Sequence, residues 1–416
     1  MTAPRITLAI DNCFASKRWT RPDEWARIVA DLGLRAIETS ADTECDPLYG
    51  GPDYLASWVE EVEAAERKHG VEVVNMYSGH GTYATLGLAH TDERVRERMM
   101  REWLFPMIDV AARLDAGVGF FCHAFPQRIL DDASVYSAEV NALHGRLAEI
   151  ARYAGRRLSR PAGVEQMYTP HQYPWRIGDA LDLMGSVSSA AGSPFYALLD
   201  VGHQSGQHRF LRPSPGAIRS SLAAAAGGQE TWIGPPRADA LRDRVRAGEL
   251  APEQAAERIE AIVGESVHLF ADDRDNDPYA WLEAMGTRSP IVHLQQTDGR
   301  ASRHLPFTRE HNEAGIIEPG LVLEALSRSA DRAHVESARA ISPAGAPPAD
   351  EPASNPSLPP QVDDIYLTIE VFAGTAEYPT TIIDKLRRTV SYWRRWIPED
   401  GAPLDELVAH ARSTRS

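Results

Sequence analysis

The sequence predicts an α/β fold, and within that class a closed (β/α)₈ barrel, the TIM-barrel architecture. Eight short runs rich in Val and Ile alternate with longer amphipathic stretches, and nearly every run is followed by a helical pattern. Strands that alternate with helices indicate parallel pairing in βαβ units, and eight such units close a barrel. No Gly-x-Gly-x-x-Gly motif follows any of the runs, which disfavours the alternative, a doubly wound open sheet that binds a dinucleotide.

The elements can be read in chain order from periodicity and from the residues that end each segment. The eight strands are predicted at 6–10, 34–39, 71–77, 117–122, 162–167, 196–201, 290–294 and 365–372. Helices are predicted at 22–32, 53–69, 91–114, 137–157, 175–184, 319–327 and 379–396. Gly33 and Gly70 follow the first two helices and can take the left-handed conformation that ends a helix. Asp92 and Glu93 suit the start of the third.

Two segments interrupt the alternation and account for the length of 416 residues, since a plain barrel takes about 250 residues. The segment 204–288, after the sixth strand, is predicted to be an insertion that forms a lid or an oligomer contact. Its Trp232, Tyr279 and Trp281 could supply an apolar wall for a substrate. The segment 330–362, before the eighth strand, is rich in Ala and Pro and is predicted to be a mobile linker. We therefore expect one domain, 1–416.

The charge balance narrows the choice of partners. Lys and Arg number 43 against 59 Asp and Glu, a formal net charge of −16, which disfavours a nucleic-acid surface.

Only three cysteines occur, which favours a reducing compartment over a disulfide scaffold. No apolar run is long enough for a membrane span, and the first ten residues lack the apolar core of a signal peptide. We expect a cytoplasmic protein with no nucleic-acid or membrane partner.

Ionisable side chains lie in the last four predicted strands, one in each: Glu165, Asp200, His293 and Glu370. The carboxyl ends of barrel strands meet on one face, so these side chains should converge there. Each alone could be a helix cap or an ion-pair partner. Together, three carboxylates would repel one another unless a cation lies between them. Three carboxylates and one imidazole suit one divalent metal ion, Mn²⁺, Mg²⁺, Co²⁺ or Zn²⁺, with open positions for substrate oxygens.

Three further histidines are candidates for substrate contact. His80 and His123 follow the third and fourth strands, and each is equally well explained as a structural, hydrogen-bonded histidine. His171 lies just beyond Glu165. Cys122, beside His123, has no accompanying oxyanion-hole motif and is predicted to be part of the core.

The strand motifs carry a resemblance to a known family. They are Gly-Val-Glu165-Gln-Met-Tyr, Leu-Leu-Asp200-Val-Gly-His203, Val-His293-Leu-Gln-Gln and Thr-Ile-Glu370-Val-Phe. In type, order and placement this set resembles the xylose isomerase-like TIM-barrel superfamily, which includes sugar-phosphate isomerases, ketose 3-epimerases, inosose dehydratases and endonuclease IV. The resemblance covers most of the chain but neither insertion. In the isomerase and epimerase branch it implies that the four ionisable residues hold one metal ion, that Glu165 and Glu370 are the acid/base pair, and that His203 contacts substrate oxygen.

The resemblance implies a metal-dependent isomerase or epimerase of a sugar or sugar derivative, in carbohydrate metabolism. A metal ion bridging a carbonyl and a neighbouring hydroxyl acidifies the C–H between them and stabilises the enediolate, and two glutamates can remove and return the proton. A lyase, either a dehydratase or a decarboxylase of a keto-sugar or sugar acid, could use the same enediolate and is the main alternative. A non-catalytic carbohydrate-binding barrel is a further one. The expected partners are a small sugar and a second copy of the chain.

The endonuclease IV branch shares the ligands but requires more of them. His80 and His123 could match its extra histidines, and Arg309-Glu310-His311 occupies the place of its Asp-x-His element. Arginine cannot ligate a metal ion, and the acidic charge disfavours DNA, so an endonuclease IV-like hydrolase is disfavoured. Arg309 is predicted to clamp an anion or hydroxyl of a small substrate, and a surface ion pair with Glu310 or Glu313 is the alternative.

Overall fold

The computed structural model describes residues 3–79, 86–223, 232–341 and 358–415, with the backbone alone for 334–341 and 415. Eight parallel strands form a closed barrel, because the first strand pairs with both the second and the eighth. The predicted fold is therefore confirmed. The strands are β1 (Arg5–Asp11), β2 (Ala36–Ser40), β3 (Glu72–Ser78), β4 (Gly117–Phe120), β5 (Ala162–Glu165), β6 (Tyr196–Asp200), β7 (Ile291–Leu294), β8 (Asp364–Ile369) and β9 (Ala402–Pro403). The short β9 was not predicted and pairs antiparallel with β1.

Helices surround the barrel. They are α1 (Pro22–Asp31), α2 (Pro47–His69), α3 (Glu93–Arg98), α4 (Phe105–Arg113), α5 (Gln127–Leu130), α6 (Ala133–Ala154), α7 (Ile177–Ala191), α8 (Pro215–Ala223), α9 (Pro236–Arg246), α10 (Pro252–Glu265), α11 (Pro278–Met285), α12 (Arg309–Ala314), α13 (Pro319–Ile341), α14 (Pro379–Arg394) and α15 (Leu404–Arg415). The single helix predicted over 91–114 is divided into α3 and α4 by a wider π turn over Met99–Leu104. Pro106, in the first turn of α4, has no N–H to bond the preceding turn.

Helix α1 shows how local sequence produces this packing. Pro22 starts the helix with a preset φ angle, and Trp25, Ile28 and Val29 recur at helical spacing on its buried face. Gly33 follows with a φ of +77°, which a residue with a side chain rarely adopts. Burying each large apolar side chain contributes about 1.5–3 kcal/mol before the entropy cost. This helix therefore holds its place through one apolar face.

The 204–288 insertion is largely helical and carries part of the core. Its last helix, α11, packs against α13 and takes the place of the barrel helix between β6 and β7. The prediction that the two tryptophans form an apolar wall for a substrate was wrong, since Trp232 is 3% and Trp281 0% exposed. The indole nitrogen of Trp281 donates to the Asp275 carbonyl at 2.7 Å, and the guanidinium of Arg242 lies 3.8 Å from the Trp232 ring centroid. Both tryptophans belong to the same hydrophobic core cluster as the barrel residues, so the insertion draws its aromatic side chains inward.

The prediction of a mobile linker over 330–362 was wrong for residues 330–341, which are helical. Helix α13 continues to Ile341, because Ala-rich sequence favours helix once part of it is buried, and Ala330 and Ala333 are buried here. The rest of the predicted linker from 342 to 357 lies outside the described residues. After it, Val362 is buried, and the Pro359 carbonyl accepts the Nε–H of Arg288 at 2.9 Å.

Cys13, Cys45 and Cys122 are all free, and Cys122 is buried as predicted. In the described parts of the chain, no helix combines the length and the apolar character needed to cross a membrane.

Candidate metal centre

Glu165, Asp200, His293 and Glu370 meet at the carboxyl ends of β5 to β8. All four are buried, and one ligand atom from each lies within 4.8 Å of the others. The pairing register sets this convergence, because Asp200 lies directly opposite His293 and Leu294 opposite Ile369, which places Glu370 one residue beyond the end of β8. The convergence predicted from the strand ends is therefore present in the structure.

The layer below the cluster explains why these side chains point into the barrel. Tyr77, Leu198 and Ile291 form a small apolar cluster with Tyr366 packed against it. Side chains alternate along a strand, so the residue two positions after each of these faces the same way. Two residues after Leu198 and Ile291 come Asp200 and His293. The candidate metal centre is thus the next interior layer of the barrel, with apolar side chains beneath it.

His293 lies at the middle of the buried carboxylates. Its Nδ1 is 2.7 Å from Oε1 of Glu165 and 3.6 Å from Oε2 of Glu370. Its Nε2 is 2.8 Å from Oε2 of Glu38, whose other oxygen accepts from the Asn75 amide at 2.6 Å. Nδ1 therefore faces the ligand carboxylates, while Nε2 can donate to Glu38. A carboxylate behind a ligating histidine is a common way to fix its ring and its tautomer.

Asp200 is held by donors on both sides. The backbone N–H groups of Gly202 and His203 lie 2.6 and 3.2 Å from its Oδ1. The Gln295 amide nitrogen is 2.9 and 2.8 Å from its two carboxylate oxygens. A Cβ on Gly202 would lie 2.3 Å from the Gln295 side chain, so glycine at this position makes room for the glutamine.

His304 is a member of the site that the sequence analysis missed. Its Nε2 lies 3.4 Å from Oε2 of Glu370 and 3.8 Å from Oδ2 of Asp200. Its ring stacks on Phe372 with centroids 4.2 Å apart. His304 belongs to the loop after β7, where neither strand periodicity nor a motif marks it. Only the folded path of that loop, with a φ of +50° at His304, brings it to the ligands.

Tyr77 was also missed, because by pattern it is an ordinary apolar strand residue. Its hydroxyl donates to Oε2 of Glu165, and its ring meets that of His293 edge to face at 5.2 Å. Both oxygens of Glu165 therefore have a partner. In contrast, Oε2 of Glu370 is buried with no hydrogen-bond partner among the described residues.

The other predicted histidines lie in different surroundings. His203 joins the cluster: it is 2% exposed, and its Nε2 lies 3.5 Å from Oδ2 of Asp200. His123 is buried and donates from Nε2 to the Tyr173 carbonyl, and burial lowers the pKa of His123 to about 4. His171 donates from Nδ1 to the Phe125 carbonyl at 2.7 Å and so links two loops. His80 lies outside the described residues.

Arg309 lies at the surface rather than among the ligands. It starts α12, its side chain is 90% exposed, and its Nε is 3.0 Å from Oε1 of Glu313. The geometry thus matches the surface ion pair that was the alternative for this residue.

The buried carboxylates of the candidate metal centre are stabilised in their ionised form by the histidines around them. Burial raises the pKa of Glu165, but the charges of His203 and His293 outweigh it and hold the pKa below its ordinary value. Burial likewise raises the pKa of Asp200, and His203, His304 and His293 together lower it. Two buried carboxylates that stay ionised require positive charge close by. With Oε2 of Glu370, which accepts no hydrogen bond among the described residues, the donor set fits a divalent cation.

Fold and site together define a (β/α)₈ barrel with a candidate metal centre at the carboxyl ends of its strands. Residues 26–232 match the model of the xylose isomerase-like TIM barrel family. A D-erythrulose 1-phosphate 3-epimerase from Brucella abortus (strain 2308) is 39% identical over 329 residues, which cover 77% of this chain and 84% of that protein. This chain belongs to the xylose isomerase-like TIM-barrel family.

Solved structures agree on the fold. A candidate xylose isomerase from Rhodospirillum rubrum ATCC 11170 has a TM-score of 0.60 and 18% identity, over 94% of this chain and 98% of that one. A D-tagatose 3-epimerase-like protein has a TM-score of 0.50 and 14% identity, over 99% of this chain and all of that one. At these identities the likeness shows the fold alone.

Proposed function

We propose that this chain is a divalent-metal-dependent epimerase or isomerase of a ketose or ketose phosphate, with Glu165 and Glu370 as the proton-transferring pair. The observation that carries the proposal is the placement of both carboxylates around the same imidazole nitrogen, Nδ1 of His293, at 2.7 and 3.6 Å. Two carboxylates that lie beside the same histidine can act on one substrate carbon from different directions. Glu165, Asp200, His293 and Glu370 would hold the ion.

The chemistry divides between the ion and the side chains. A divalent ion, when bound, polarises a carbonyl oxygen and makes the adjacent C–H more acidic. Glu165 suits the role of base, since the lowered pKa of Glu165 keeps its carboxylate ionised and the Tyr77 hydroxyl and His293 fix both of its oxygens. Glu370, carrying a proton taken up from solvent, would donate it from its side, and the proton taken by Glu165 would be lost to solvent. Return to the opposite face of the same carbon gives the epimer, and return to the neighbouring carbon gives the isomer.

Similarity to the Brucella relative selects the first substrate to try. That protein acts, by its name, on D-erythrulose 1-phosphate at carbon 3. We therefore favour epimerisation beside the carbonyl of a short ketose phosphate over isomerisation of a long free sugar. Free erythrulose and longer ketoses serve as comparisons that measure how much the phosphate contributes.

The experiment is turnover in deuterated water followed by NMR. With D-erythrulose 1-phosphate as substrate and Mn²⁺ supplied, we expect the C3 epimer to form with deuterium at that carbon. Glu165→Gln and Glu370→Gln should each lower turnover about 10²–10⁴-fold, the usual share of a general acid or base. Glu310→Gln, an exposed residue on α12, is the matched control and should keep full turnover. Full turnover in either site variant contradicts the proposed pair, and release of water or CO₂ instead of an epimer would assign the chain to the lyase class.

A further inference from the structure

Asp11 is a buried acidic residue that the proposed reaction does not use. It is the last residue of β1 and is 2% exposed. Its Oδ1 accepts the backbone N–H of Cys13 at 2.5 Å and so caps the short turn over Asn12–Ala15. Burying a carboxyl group costs free energy unless its oxygens have partners. The cap accounts for one oxygen of Asp11 and leaves the other to be explained.

The pairing register places Asp11 beside the candidate metal centre. Asp11 lies opposite Glu38 on β2, and Ile10 lies opposite Ile369 on β8. Asp11 is therefore level with Glu370, the residue that follows Ile369. Three neighbouring strands, β8, β1 and β2, thus each carry one acidic side chain at the same height of the barrel.

The side chain of Asp11 faces the barrel interior. Ala9, two residues earlier, belongs to a small apolar cluster against which Tyr366 packs, and Tyr366 also packs against the interior cluster that contains Leu198. Side chains alternate along a strand, so Asp11 faces the same way as Ala9, just as Asp200 faces the same way as Leu198. Asp11 and Asp200 therefore belong to the same interior layer.

Among these three acidic residues, Asp11 keeps an oxygen that has no role in the site as described so far. Both oxygens of Glu38 have donors, and Glu370 is a candidate metal ligand. Within the described parts of the chain, no N–H or O–H group donates to Oδ2 of Asp11. The thiol of Cys13, a weak donor, has the Val371 carbonyl as its partner at 3.5 Å. Oδ2 is thus left for a group from outside the chain.

A hydroxyl group of the substrate suits this oxygen. A hydroxyl can both donate and accept, so it can pair with Asp11 whether or not the carboxyl group carries a proton. A phosphate group does not suit the position, because the acidic side chains of β8, β1 and β2 would repel its charge. In a four-carbon ketose 1-phosphate, the end remote from the phosphate is the hydroxymethyl group at carbon 4, next to the carbon that is epimerised.

We propose that Asp11 is a substrate-binding residue that pairs with the terminal hydroxyl of the ketose and so directs the phosphate end away from β1. This inference rests on the proposed function and adds to it the residue that fixes the orientation of the substrate. Asp11 also sets specificity, because a site with a polar partner for a hydroxyl disfavours an analogue that lacks this hydroxyl.

The test compares two ligands on the natural chain and on variants of Asp11, with Mn²⁺ supplied. The ligands are erythrulose 1-phosphate and its 4-deoxy analogue, both racemic at carbon 3, so that epimerisation does not change the ligand. Calorimetric titration should show that the natural chain binds the analogue about 10–100-fold more weakly, as expected for a lost hydrogen bond to a charged group. Asp11→Ser can still cap the turn at Cys13 but is too short to reach the hydroxyl, and it should bind both ligands alike.

Asp132→Asn is the matched control, because Asp132 is an exposed residue that also accepts backbone N–H groups, at the start of α6. It should keep the preference of the natural chain. Circular dichroism establishes that each variant is folded, and Asp11→Asn, which has nearly the same shape, replaces Asp11→Ser if the latter is not. The preference should then be reduced.

Equal binding of the two ligands by the natural chain overturns the inference, and so does a full preference in a folded variant of Asp11. A merely structural role for Asp11 would weaken both ligands by the same factor. Turnover of D-erythrulose 1-phosphate is measured separately. Epimerisation without a hydroxyl preference contradicts the role of Asp11 alone, and a hydroxyl preference without epimerisation contradicts the proposed function alone. Binding of neither ligand, without turnover, contradicts both.

Discussion

Gln295 joins Asp200 to His304. Its amide nitrogen lies 2.9 and 2.8 Å from the two carboxylate oxygens of Asp200, and its amide oxygen accepts the backbone N–H of His304 at 2.6 Å. One buried side chain therefore fixes a ligand on β6 and the loop after β7 at the same time. Two residues of the candidate metal centre cannot move independently while this amide is intact.

Gln295→Glu should weaken metal binding. The new carboxylate can still accept the backbone N–H groups of Arg303 and His304. It has no donor for Asp200, however, and the two negative charges repel each other. We expect about 10–100-fold weaker affinity, as for other outer partners of metal ligands, measured by calorimetric titration of chelator-treated protein with Mn²⁺. Gln127→Glu, on the exposed side of α5, is the control. Unchanged affinity for Gln295→Glu would show that Asp200 does not depend on this amide.

Glu38→Gln tests the partner behind His293. Both oxygens of Glu38 accept, one from His293 and one from Asn75, and an amide offers only one oxygen. We expect Mn²⁺ affinity to fall by about 10–100-fold while the thermal transition is retained. Glu60→Gln, an exposed residue of α2, should bind Mn²⁺ as the natural chain does. Equal affinities in the two variants would remove Glu38 from the metal-binding network.

Glu44 should make stability depend on pH. Burial raises the pKa of Glu44 to about 8, above the value of about 4.3 in unfolded chains. Between these values the folded state binds more protons, so the free energy of unfolding falls as pH rises from about 4.3 to 8. Glu44→Gln keeps the acceptor for Trp25 and Asn12 and removes this fall.

Chemical denaturation at pH 5 and pH 8.5 measures the effect. We expect Glu44→Gln to be more stable than the natural chain at pH 8.5 by about 2 kcal/mol or more, with a smaller difference at pH 5. Glu253→Gln, at the exposed start of α10, should follow the natural chain at both values. A difference for Glu44→Gln that does not change with pH would mean that Glu44 titrates normally.

Trp281→Ala tests whether the insertion belongs to the core. The side chain is fully buried and its indole N–H donates to Asp275. Truncation should cost about 3–5 kcal/mol of unfolding free energy, measured by denaturant titration. Tyr49→Ala, at a side chain 78% exposed, should cost far less. A small effect at Trp281 would indicate that α11 is docked loosely on the barrel.

The four candidate metal ligands, Glu165, Asp200, His293 and Glu370, could be predicted from the sequence because the order of the strands brings them together. Glu165 and Asp200 end their strands and His293 lies one residue before the end of β7, and neighbouring strands of a barrel present their ends side by side. Tyr77 and His304 could not be predicted in the same way. The contact of Tyr77 with Glu165 depends on the register across the barrel interior. The position of His304 depends on a loop path that no periodicity encodes.

Two details within the inserted segments were predicted wrongly, for a different reason. Composition indicated where the βα alternation stops, but it could not indicate which apolar residues are used within the inserted segment. Trp232 and Trp281 are buried in the main hydrophobic core. The Ala-rich start of the predicted linker continues helix α13 and buries Ala330 and Ala333.

Under the proposed function, the closing of the barrel between β1 and β8 determines when the metal ion can bind. The register brings Arg5 beside Asp364, so the seam joins segments that are far apart in the chain. We expect contacts of this kind to form late in folding, since a long loop must close before they give any stabilisation. Glu370 arrives only with β8. We therefore expect the ion to be loaded into a finished barrel rather than to nucleate it, so that supply of metal would limit activity after synthesis without limiting the yield of folded chain.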